Sequence, residues 1–348
     1  MPDPRPLPRT ALPILQAPMA GSQAARLTLA VGEAGGLGAL PTAALDPARL
    51  AAELALLRDA GRPFNVNFFC HAPPATDAAR EAAWHARLAP LCAELGIDPA
   101  TLPSGPGRQP FTHALADLVE PFAPPVVSFH FGLPAPDLLA RVKGWGATVL
   151  SSATTVDEAR WLEAHGADAV IAQGLEAGGH RGHFLSDDLT RQPGLFALLP
   201  AIVDAVRLPV IAAGGIADAR GVQAALALGA TAVQVGTAYL ACPEADTTAV
   251  HRAALASPAA AHTALTNVFT GRPARGIVNR AMRELGPIAP DAPAFPLATA
   301  AMGPLRAKAE AAGSGDFSPL WAGQSAALCR AIGAAELTRE LAAGCAAR

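Results

Sequence analysis

The chain has 348 residues, of which 51% are hydrophobic and 16% are charged, so it can bury a large core. Its formal net charge of −3 gives no electrostatic basis for binding nucleic acid or an anionic membrane. The five cysteines are scattered and lack CxxC spacing, which predicts a cytoplasmic protein with neither a disulfide framework nor a cysteine metal cluster.

Eight short apolar runs recur along the chain, most of them followed by a turn and an alanine-rich segment. The runs are apolar almost throughout and mostly do not alternate, as expected of parallel strands that are covered on both faces. The predicted strands are Ile14–Pro18, Leu37–Leu40, Phe64–Phe69, Val126–Phe131, Thr148–Ser152, Ala169–Gln173, Pro209–Ala213 and Ala232–Gly236.

Segments with helical spacing lie between these strands, and Asp157 or Thr155 is placed to cap one of them and Asp218 another. A strand followed by a helix, about eight times over, predicts an α/β fold of the (β/α)8 TIM barrel type. A doubly wound sheet would carry its nucleotide-binding glycines after the first strand, whereas here they follow strands six to eight. The predicted helices are Pro47–Ala60, Asp137–Gly144, Val156–His165, Leu195–Val206 and Ala219–Leu228.

Two segments fall outside the strand and helix repeat. We predict a barrel formed by residues 1–70 and 126–242, an insertion of residues 71–125 after strand three, and a helical extension of residues 243–348 on the substrate side. Prolines interrupt the start of the chain where a secretory signal would need an unbroken apolar run. Gln, Thr and Gly interrupt the most apolar stretch, Val222–Ala241, so we expect no membrane span there.

Glycines follow the seventh and the eighth predicted strands. Strand seven ends in Gly214 and Gly215 within "PVIAAGGIADARGV", and strand eight ends in Gly236 and Thr237. Barrel enzymes often hold a phosphate with these two loops and a helix N-terminus, and glycine lets backbone N–H groups approach it closely. One such loop alone would be explained by a simple chain turn, but the two together predict a phosphate site.

The loop after strand six reads "GLEAGGHRGH" and combines glycines with histidine. Gln173 ends the strand with an amide that suits the polar edge of an isoalloxazine ring, and Gly178 and Gly179 leave room for a ring or a phosphate. His180 then emerges at the carboxyl end of the barrel, where a histidine can act as a general base near neutral pH. The loop therefore predicts a phosphate-bearing flavin beside a catalytic histidine.

Other polar residues near this loop have less certain roles. His183 is interpreted as a neighbour of His180 that faces solvent or supports the loop, and Glu176 as a helix cap or an ion-pair partner, for example of Arg181. His130, in "SFHFG" at the end of strand four, either lines the pocket or is buried and hydrogen-bonded.

Several motifs together resemble the nitronate monooxygenases, formerly called 2-nitropropane dioxygenases. They are "APMAG" at Ala17–Gly21, "NVNFF" at Asn65–Phe69, "QGLEAGGHRG", "PVIAAGGI" and "QVGTAYL". The segments "SFHFGLP", "FTGRPARGIVNR" and "PLWAGQS" resemble the class I branch of that family. The similarity runs in order from about residue 12 to about residue 332.

The resemblance implies an FMN enzyme that oxidises alkyl nitronates, such as propionate 3-nitronate, with O2 to a carbonyl compound and nitrite, without NAD(P)H. It implies that His180 is the catalytic base. A monomer or a homodimer is expected. The residues implied to contact FMN are Met19, Gly21, Asn67, Gln173, Gly178, Gly179, Gly214, Gly215, Gln234, Val235, Gly236 and Thr237. The candidates for the substrate pocket are His130, Trp321, Gln324 and Ser325, with helix packing an equally good explanation for the last three.

Three alternatives remain. A flavin-dependent enoyl-ACP reductase has a closely similar "EAGGH" loop, but it would need NAD(P)H and a long-chain pocket. An NADH:quinone reductase of the other nitronate monooxygenase branch is the second alternative, and the late class I-like motifs argue against both. The third is a non-catalytic flavin-binding module, which a full barrel with a histidine aimed at the flavin disfavours.

Overall fold

The computed structural model describes residues 10–105 and 107–345 and has a ring of parallel strands at its centre. Each strand pairs with its neighbours in chain order, and the last pairs with the first. A parallel bridge between Leu15 and Leu37 closes the ring. The strands are β1 Ile14–Gln16, β2 Gly38–Pro41, β3 Phe64–Phe69, β4 Val126–His130, β5 Thr148–Ala153, β6 Ala169–Gln173, β7 Val210–Ala213 and β8 Ala232–Val235.

The predicted (β/α)8 barrel is thus confirmed, and each strand lies within two residues of its predicted bounds. The strands are buried along nearly their whole length because helices cover their outer faces and the barrel interior is filled. The interior cluster is made of Leu15, Leu37, Val126, Leu150, Ala169, Ile171, Ile211, Ala213 and Ala232.

Eight helices surround the strands, and two of them come from the segments predicted as insertion and extension. His113–Val119 packs in the same apolar cluster as Leu54 and Leu57 of the second helix. Ala334–Ala342, near the end of the chain, packs in the same cluster as Ile14 of β1. The ring helices are Ala25–Glu33, Pro47–Asp59, His113–Val119, Pro136–Gly144, Val156–Ala164, Leu195–Ala205, Ala219–Ala227 and Ala334–Ala342.

The helix caps follow from the sequence signals. Thr155, and not Asp157, caps its helix by accepting a hydrogen bond from the backbone N–H of Glu158 at 3.2 Å. Asp218 accepts from the backbone N–H groups of Arg220 and Gly221 at 3.0 and 3.4 Å. Because Asp218 sets the start of the helix after β7, it also sets the length of the glycine turn between β7 and that helix.

A smaller assembly covers the carboxyl ends of the strands. Two antiparallel strands, Thr263–Thr266 and Ala274–Ile277, form a sheet with Gly179–His180 from the loop after β6. The remaining helices are Ala78–Leu95, Thr237–Leu240, Ala249–Leu255, Arg280–Leu285 and Ala298–Ala311. None of the described helices is long and apolar enough to cross a membrane. The proline-rich start, residues 1–9, lies outside the described residues.

Candidate active site at the carboxyl end of the barrel

A cavity opens at the carboxyl ends of the strands, where barrel enzymes carry out their chemistry. Its empty volume is about 1320 Å³, including the solvent at its mouth, which is ample for a cofactor together with a small substrate. The predicted site residues that line it are Met19, Asn67, His130, Gln173, Gly178, Gly179, His180, Gly214, Gly215, Gln234, Gly236, Thr237, Trp321 and Ser325.

Three predicted site residues lie away from the cavity wall. Gly21 and Gln324 are exposed, and Val235 is buried in the apolar cluster between the strands and the outer helices. The outward position of Val235 follows from strand geometry, since successive side chains of a strand point to opposite faces and its neighbour Gln234 lines the cavity. The backbone of Gln324 donates to the carbonyl oxygen of Glu176 at 3.0 Å and so links the C-terminal segment to the loop after β6.

The turn after β7 offers bare backbone to the cavity. Gly214 and Gly215 have φ angles of 116° and 70°, a region that residues with side chains rarely adopt. Ser325 Oγ donates to the carbonyl oxygen of Gly215 at 2.6 Å, so the C-terminal segment fixes this turn. In the same cavity wall, Gln234 Oε1 is buried and has no hydrogen-bond partner among the described residues. These features fit a flat polar ligand that carries a phosphate.

The loop that carries His180 is fixed through its backbone. His180 pairs in register with Ala274 of the C-terminal segment. Its carbonyl oxygen accepts hydrogen bonds from Gln173 Nε2 at 2.9 Å and His130 Nε2 at 3.2 Å. Because a carbonyl only accepts, His130 carries its proton on Nε2, and its Nδ1 accepts from Ser152 Oγ at 3.0 Å. Both open interpretations of His130 therefore hold, since it lines the cavity and supports the loop.

The imidazole of His180 has one bonded and one unbonded ring nitrogen. Nε2 lies 3.0 Å from Thr270 Oγ1, and the Thr270 hydroxyl lies 3.3 Å from the carbonyl oxygen of Arg272. When the hydroxyl donates to that carbonyl, Oγ1 accepts from Nε2–H of the histidine, and in this tautomer Nδ1 carries the free lone pair. Nδ1 has no hydrogen-bond partner in the described part of the chain, and the His180 side chain lines the cavity.

The histidines of the site are neutral at pH 7. Burial lowers the pKa of His180 well below the usual histidine range, and the positive charge of Arg108 lowers it further. Burial also lowers the pKa of His130 to about 3 and lowers that of His71. A neutral imidazole can accept a proton, which is the first requirement for a general base.

Aromatic rings surround the His180 imidazole. Its ring centroid lies 5.2 Å from that of Phe295, 5.5 Å from Trp321, 6.2 Å from Phe131 and 6.3 Å from Phe69. Phe131 adopts a φ of 72°, an uncommon conformation for this residue type and one found at functional sites. The three phenylalanines are buried, so they keep water away from the histidine ring.

Two charged residues, Arg181 and Glu176, hold the backbone on either side of this loop through hydrogen bonds. Arg181 is fully buried and donates to the carbonyl oxygens of Gln173 and Gly174 at 2.8 and 2.7 Å. Glu176 does not pair with it; both carboxylate oxygens accept from the backbone N–H of Leu195, at 2.9 and 2.8 Å. Glu176 therefore caps the helix that follows, which is one of the two roles predicted for it.

His183 is buried, with 2% of its surface exposed, so the solvent-facing interpretation is wrong. Burial, followed by the charges of Arg272 and Arg181, lowers its pKa to about 3. Arg272 donates to the carbonyl oxygen of His183 and stacks 4.2 Å from the Phe131 ring centroid. This partner of the His183 backbone comes from 89 positions further along the chain, which no local pattern reveals.

Sequence reasoning also missed four residues that meet at the site: Arg108, Thr270, Arg272 and Phe295. Arg108 lies in the segment predicted as an insertion, and the other three lie in the C-terminal segment. The resemblance of "FTGRPARGIVNR" to a known family was a sequence signal for Thr270 and Arg272 alone.

Comparisons with known proteins agree on one family. A family model described as nitronate monooxygenase matches residues 7–344. The chain is 46% identical to a nitronate monooxygenase of Pseudomonas aeruginosa, over 94% of this chain and 95% of that protein. It is 45% identical to a nitronate monooxygenase of Paraburkholderia phytofirmans, over 94% and 91% of the two chains.

Solved structures agree with this result. A nitroalkane oxidase from Streptomyces ansochromogenes has a TM-score of 0.88 and 42% identity, covering 97% of this chain and 96% of that one. FabK from Thermotoga maritima is less similar, with a TM-score of 0.68 and 29% identity over 96% and 93% of the chains. The reductase alternatives are therefore not favoured. The resemblance seen in the motifs is confirmed, and the chain belongs to the nitronate monooxygenase family as a flavin enzyme of that family.

Proposed function

We propose that the protein binds FMN in the cavity and oxidises alkyl nitronates, such as propionate 3-nitronate, with O2 to a carbonyl compound and nitrite. The observation that carries the proposal is the imidazole of His180, which has one ring nitrogen without a partner among the described residues and lines a cavity that also contains a bare glycine turn. In this proposal residues 1–70 and 126–242 hold FMN, and residues 71–125 and 243–348 enclose the substrate side apart from the ring helices His113–Val119 and Ala334–Ala342. The scattered cysteines favour a cytoplasmic location, and we propose a monomer or a homodimer.

FMN would be held at two ends of the cavity. The turn at Gly214 and Gly215 and the turn at Gly236 and Thr237 would hold the phosphate through backbone N–H groups. Gln234, whose buried Oε1 has no partner in the described part of the chain, would accept a hydrogen bond from the cofactor. Bound there, FMN supplies the electron transfer between the nitronate and O2.

His180 would manage the proton of the substrate. Its Nδ1 can take the α-proton of a neutral nitroalkane, which produces the nitronate within the site. The positive imidazolium then formed lies next to the nitronate anion and stabilises it. Thr270 would keep the second proton on Nε2 throughout, so the ring presents the same nitrogen in every cycle.

The remaining residues of the site would position the base and exclude water. Gln173 and His130 hold the carbonyl oxygen of His180, which fixes the backbone from which the ring projects. Phe131 and Phe295 cover the ring, so the proton passes between substrate and imidazole without exchange through bulk water.

The decisive experiment is a pair of anaerobic titrations of the purified yellow protein. Ethyl nitronate should reduce the flavin rapidly, and NADH should not. Denaturation should release FMN, which chromatography distinguishes from other flavins. Fast reduction by NADH with no response to the nitronate would overturn the proposal in favour of a reductase.

The role of His180 is tested with His180→Asn. Activity on neutral nitroethane should fall by about 10²-fold or more, the usual contribution of a general base, and activity on preformed ethyl nitronate should fall far less. His113→Gln is the control because that side chain is 67% exposed. Equal activity of His180→Asn and the unmodified protein on nitroethane would remove the base role.

A further inference from the structure

The cavity has a single permanently charged side chain among the described residues that line it, Arg108. No aspartate, glutamate or lysine joins it there. The titratable side chains nearby are histidines whose pKa values are lowered, so they carry no charge at pH 7. The electrostatic character of the described cavity wall is therefore set by one guanidinium group.

This guanidinium has no anionic partner in the described part of the protein. Its contact is with the ring of Phe69, whose centroid lies 6.0 Å from Arg108 Cζ. Other arginines near the site are engaged: Arg272 donates to backbone carbonyl oxygens, and Arg306 pairs with Glu310 at 2.8 Å. Burial, and after it the charge of Arg306, lowers the pKa of Arg108. An unpaired cation that is half-buried costs free energy, and an anionic ligand would offset that cost.

The backbone that carries Arg108 is firmly placed. Its carbonyl oxygen accepts from His71 Nε2 at 3.1 Å. A Cβ atom added to Gly107 would lie 2.8 Å from Pro296, so this segment packs tightly against the C-terminal part of the chain. The backbone N–H of Phe111 donates to the carbonyl oxygen of Phe69 at 2.8 Å. The guanidinium is thus presented from a fixed support.

The position of Arg108 separates it from the two anions that the proposed function already contains. The phosphate would lie at the ends of β7 and β8, whereas Arg108 follows β3, which is four strands away from β7 in the eight-stranded ring. The nitronate group would lie at His180 Nδ1. The ring of Phe69 is near both groups, with its centroid 6.0 Å from Arg108 Cζ and 6.3 Å from the centroid of the His180 ring.

We propose that Arg108 is the residue that binds the carboxylate at the far end of a substrate such as propionate 3-nitronate. The inference rests on the proposed function and names a specificity residue of the same site. A planar guanidinium binds a carboxylate through two parallel hydrogen bonds, which would also fix the direction in which the substrate enters. Arg108 is then a specificity residue, and His180 remains the base.

The test compares propionate 3-nitronate with propyl-1-nitronate, which has a methyl group in place of the carboxylate. In the FMN-loaded Arg108→Met variant, kcat/KM for propionate 3-nitronate should fall about 30-fold more than kcat/KM for propyl-1-nitronate, mainly through KM. Arg108→Lys should lose about fivefold, because lysine keeps the charge without the paired geometry. Arg62→Met, an exposed arginine outside the cavity wall, is the matched control.

A binding measurement separates this inference from the proposed function. Butanoate and its uncharged match butanamide are titrated into the FMN-loaded protein, and binding is followed by the flavin absorbance. Butanoate should bind more tightly than butanamide, and Arg108→Met should abolish the difference. If the unmodified protein oxidises neither nitronate, the proposed function fails. The titration still tests whether Arg108 binds a carboxylate. Equal losses on both nitronates, or equal binding of butanoate and butanamide, would overturn the carboxylate assignment.

Discussion

Acidification from pH 7.5 to pH 5 should destabilise the fold through three histidines whose pKa values are lowered, of which His183 and His251 are buried and His130 is half-buried. The pKa values of His130 and His183 are lowered to about 3, and that of His251 to about 4, in each case mainly by burial. A histidine of the unfolded chain has a pKa of about 6.5, so the unfolded chain takes up protons that the folded chain does not. This stabilisation is complete above pH 6.5 and is lost as the pH falls toward the folded values.

The size of the loss follows from these pKa values. Each histidine should remove about 2 kcal/mol of folding free energy between pH 7.5 and pH 5, and the three together about 6 kcal/mol. At pH 5 the three rings are still neutral in the folded protein, so the loss depends mainly on the unfolded pKa. The total is a large share of the roughly 5–15 kcal/mol that stabilises a folded protein.

The assay is urea unfolding of the FMN-loaded protein at pH 7.5 and pH 5, followed by circular dichroism and by the fluorescence of the four tryptophans. His251→Gln removes one buried ring that is 6% exposed, so its acid-induced loss should be smaller by about 2 kcal/mol. His113→Gln changes a ring that is 67% exposed and should leave the loss unchanged. Equal stability at the two pH values, or the same loss in His251→Gln and the unmodified protein, would refute the reasoning.

Three further predictions concern the loop after β6 and the turn after β7. Thr270→Val leaves the Nε2 proton of the catalytic histidine without its acceptor, so kcat/KM for neutral nitroethane should fall about tenfold, with recovery in Thr270→Ser. Arg181→Met removes three buried hydrogen bonds, to the carbonyl oxygens of Gln173 and Gly174 and to Gln192 Oε1, and should lower the free energy of unfolding by about 3 kcal/mol, as measured by urea denaturation. Gly214→Ala forces alanine to a φ of 116°, so the dissociation constant for FMN should rise about tenfold in a fluorescence titration.

Each of these predictions has an outcome that contradicts it. An unchanged pH profile and full activity in Thr270→Val would mean that the hydroxyl does not fix the imidazole tautomer. Arg181→Met with the stability of the unmodified protein would mean that water or neighbouring groups replace the lost hydrogen bonds. Unaltered FMN affinity in Gly214→Ala, with Gly303→Ala on an open helix surface as the control, would move the phosphate away from this turn.

The barrel could be predicted because its signals are local. An apolar run followed by a turn and an alanine-rich segment is read within about twenty residues, and the strands therefore fell within two residues of their observed bounds. The shared cavity of His180, Gly214 and Gly236 was predictable for the same reason. Each follows a recognisable strand, and the carboxyl ends of parallel strands meet at one end of a barrel.

Contacts across long sequence separations were not predictable in this way. Thr270 meets His180 from 90 positions away, and Tyr239 meets Thr338 from 99 positions away. A threonine within an unremarkable loop carries no signal of its partner, and the same holds for an arginine such as Arg108 in a segment without secondary-structure periodicity. The burial of His183 escaped prediction as well, and the arginine that donates to its backbone carbonyl belongs to the C-terminal segment.

The position of the helix Ala334–Ala342 affects how the chain folds during its synthesis. This helix fills the eighth place in the outer ring, so everything between β8 and Ala334 is a long excursion within the last strand-and-helix unit. During synthesis the covering strands and the segment that holds His180 emerge before the ring can be completed. A nascent or prematurely terminated chain would therefore leave β1 and the neighbouring strands exposed and prone to aggregate. A deletion variant without the segment that covers the cavity must keep the last helix, so it needs an internal deletion that joins β8 directly to Ala334.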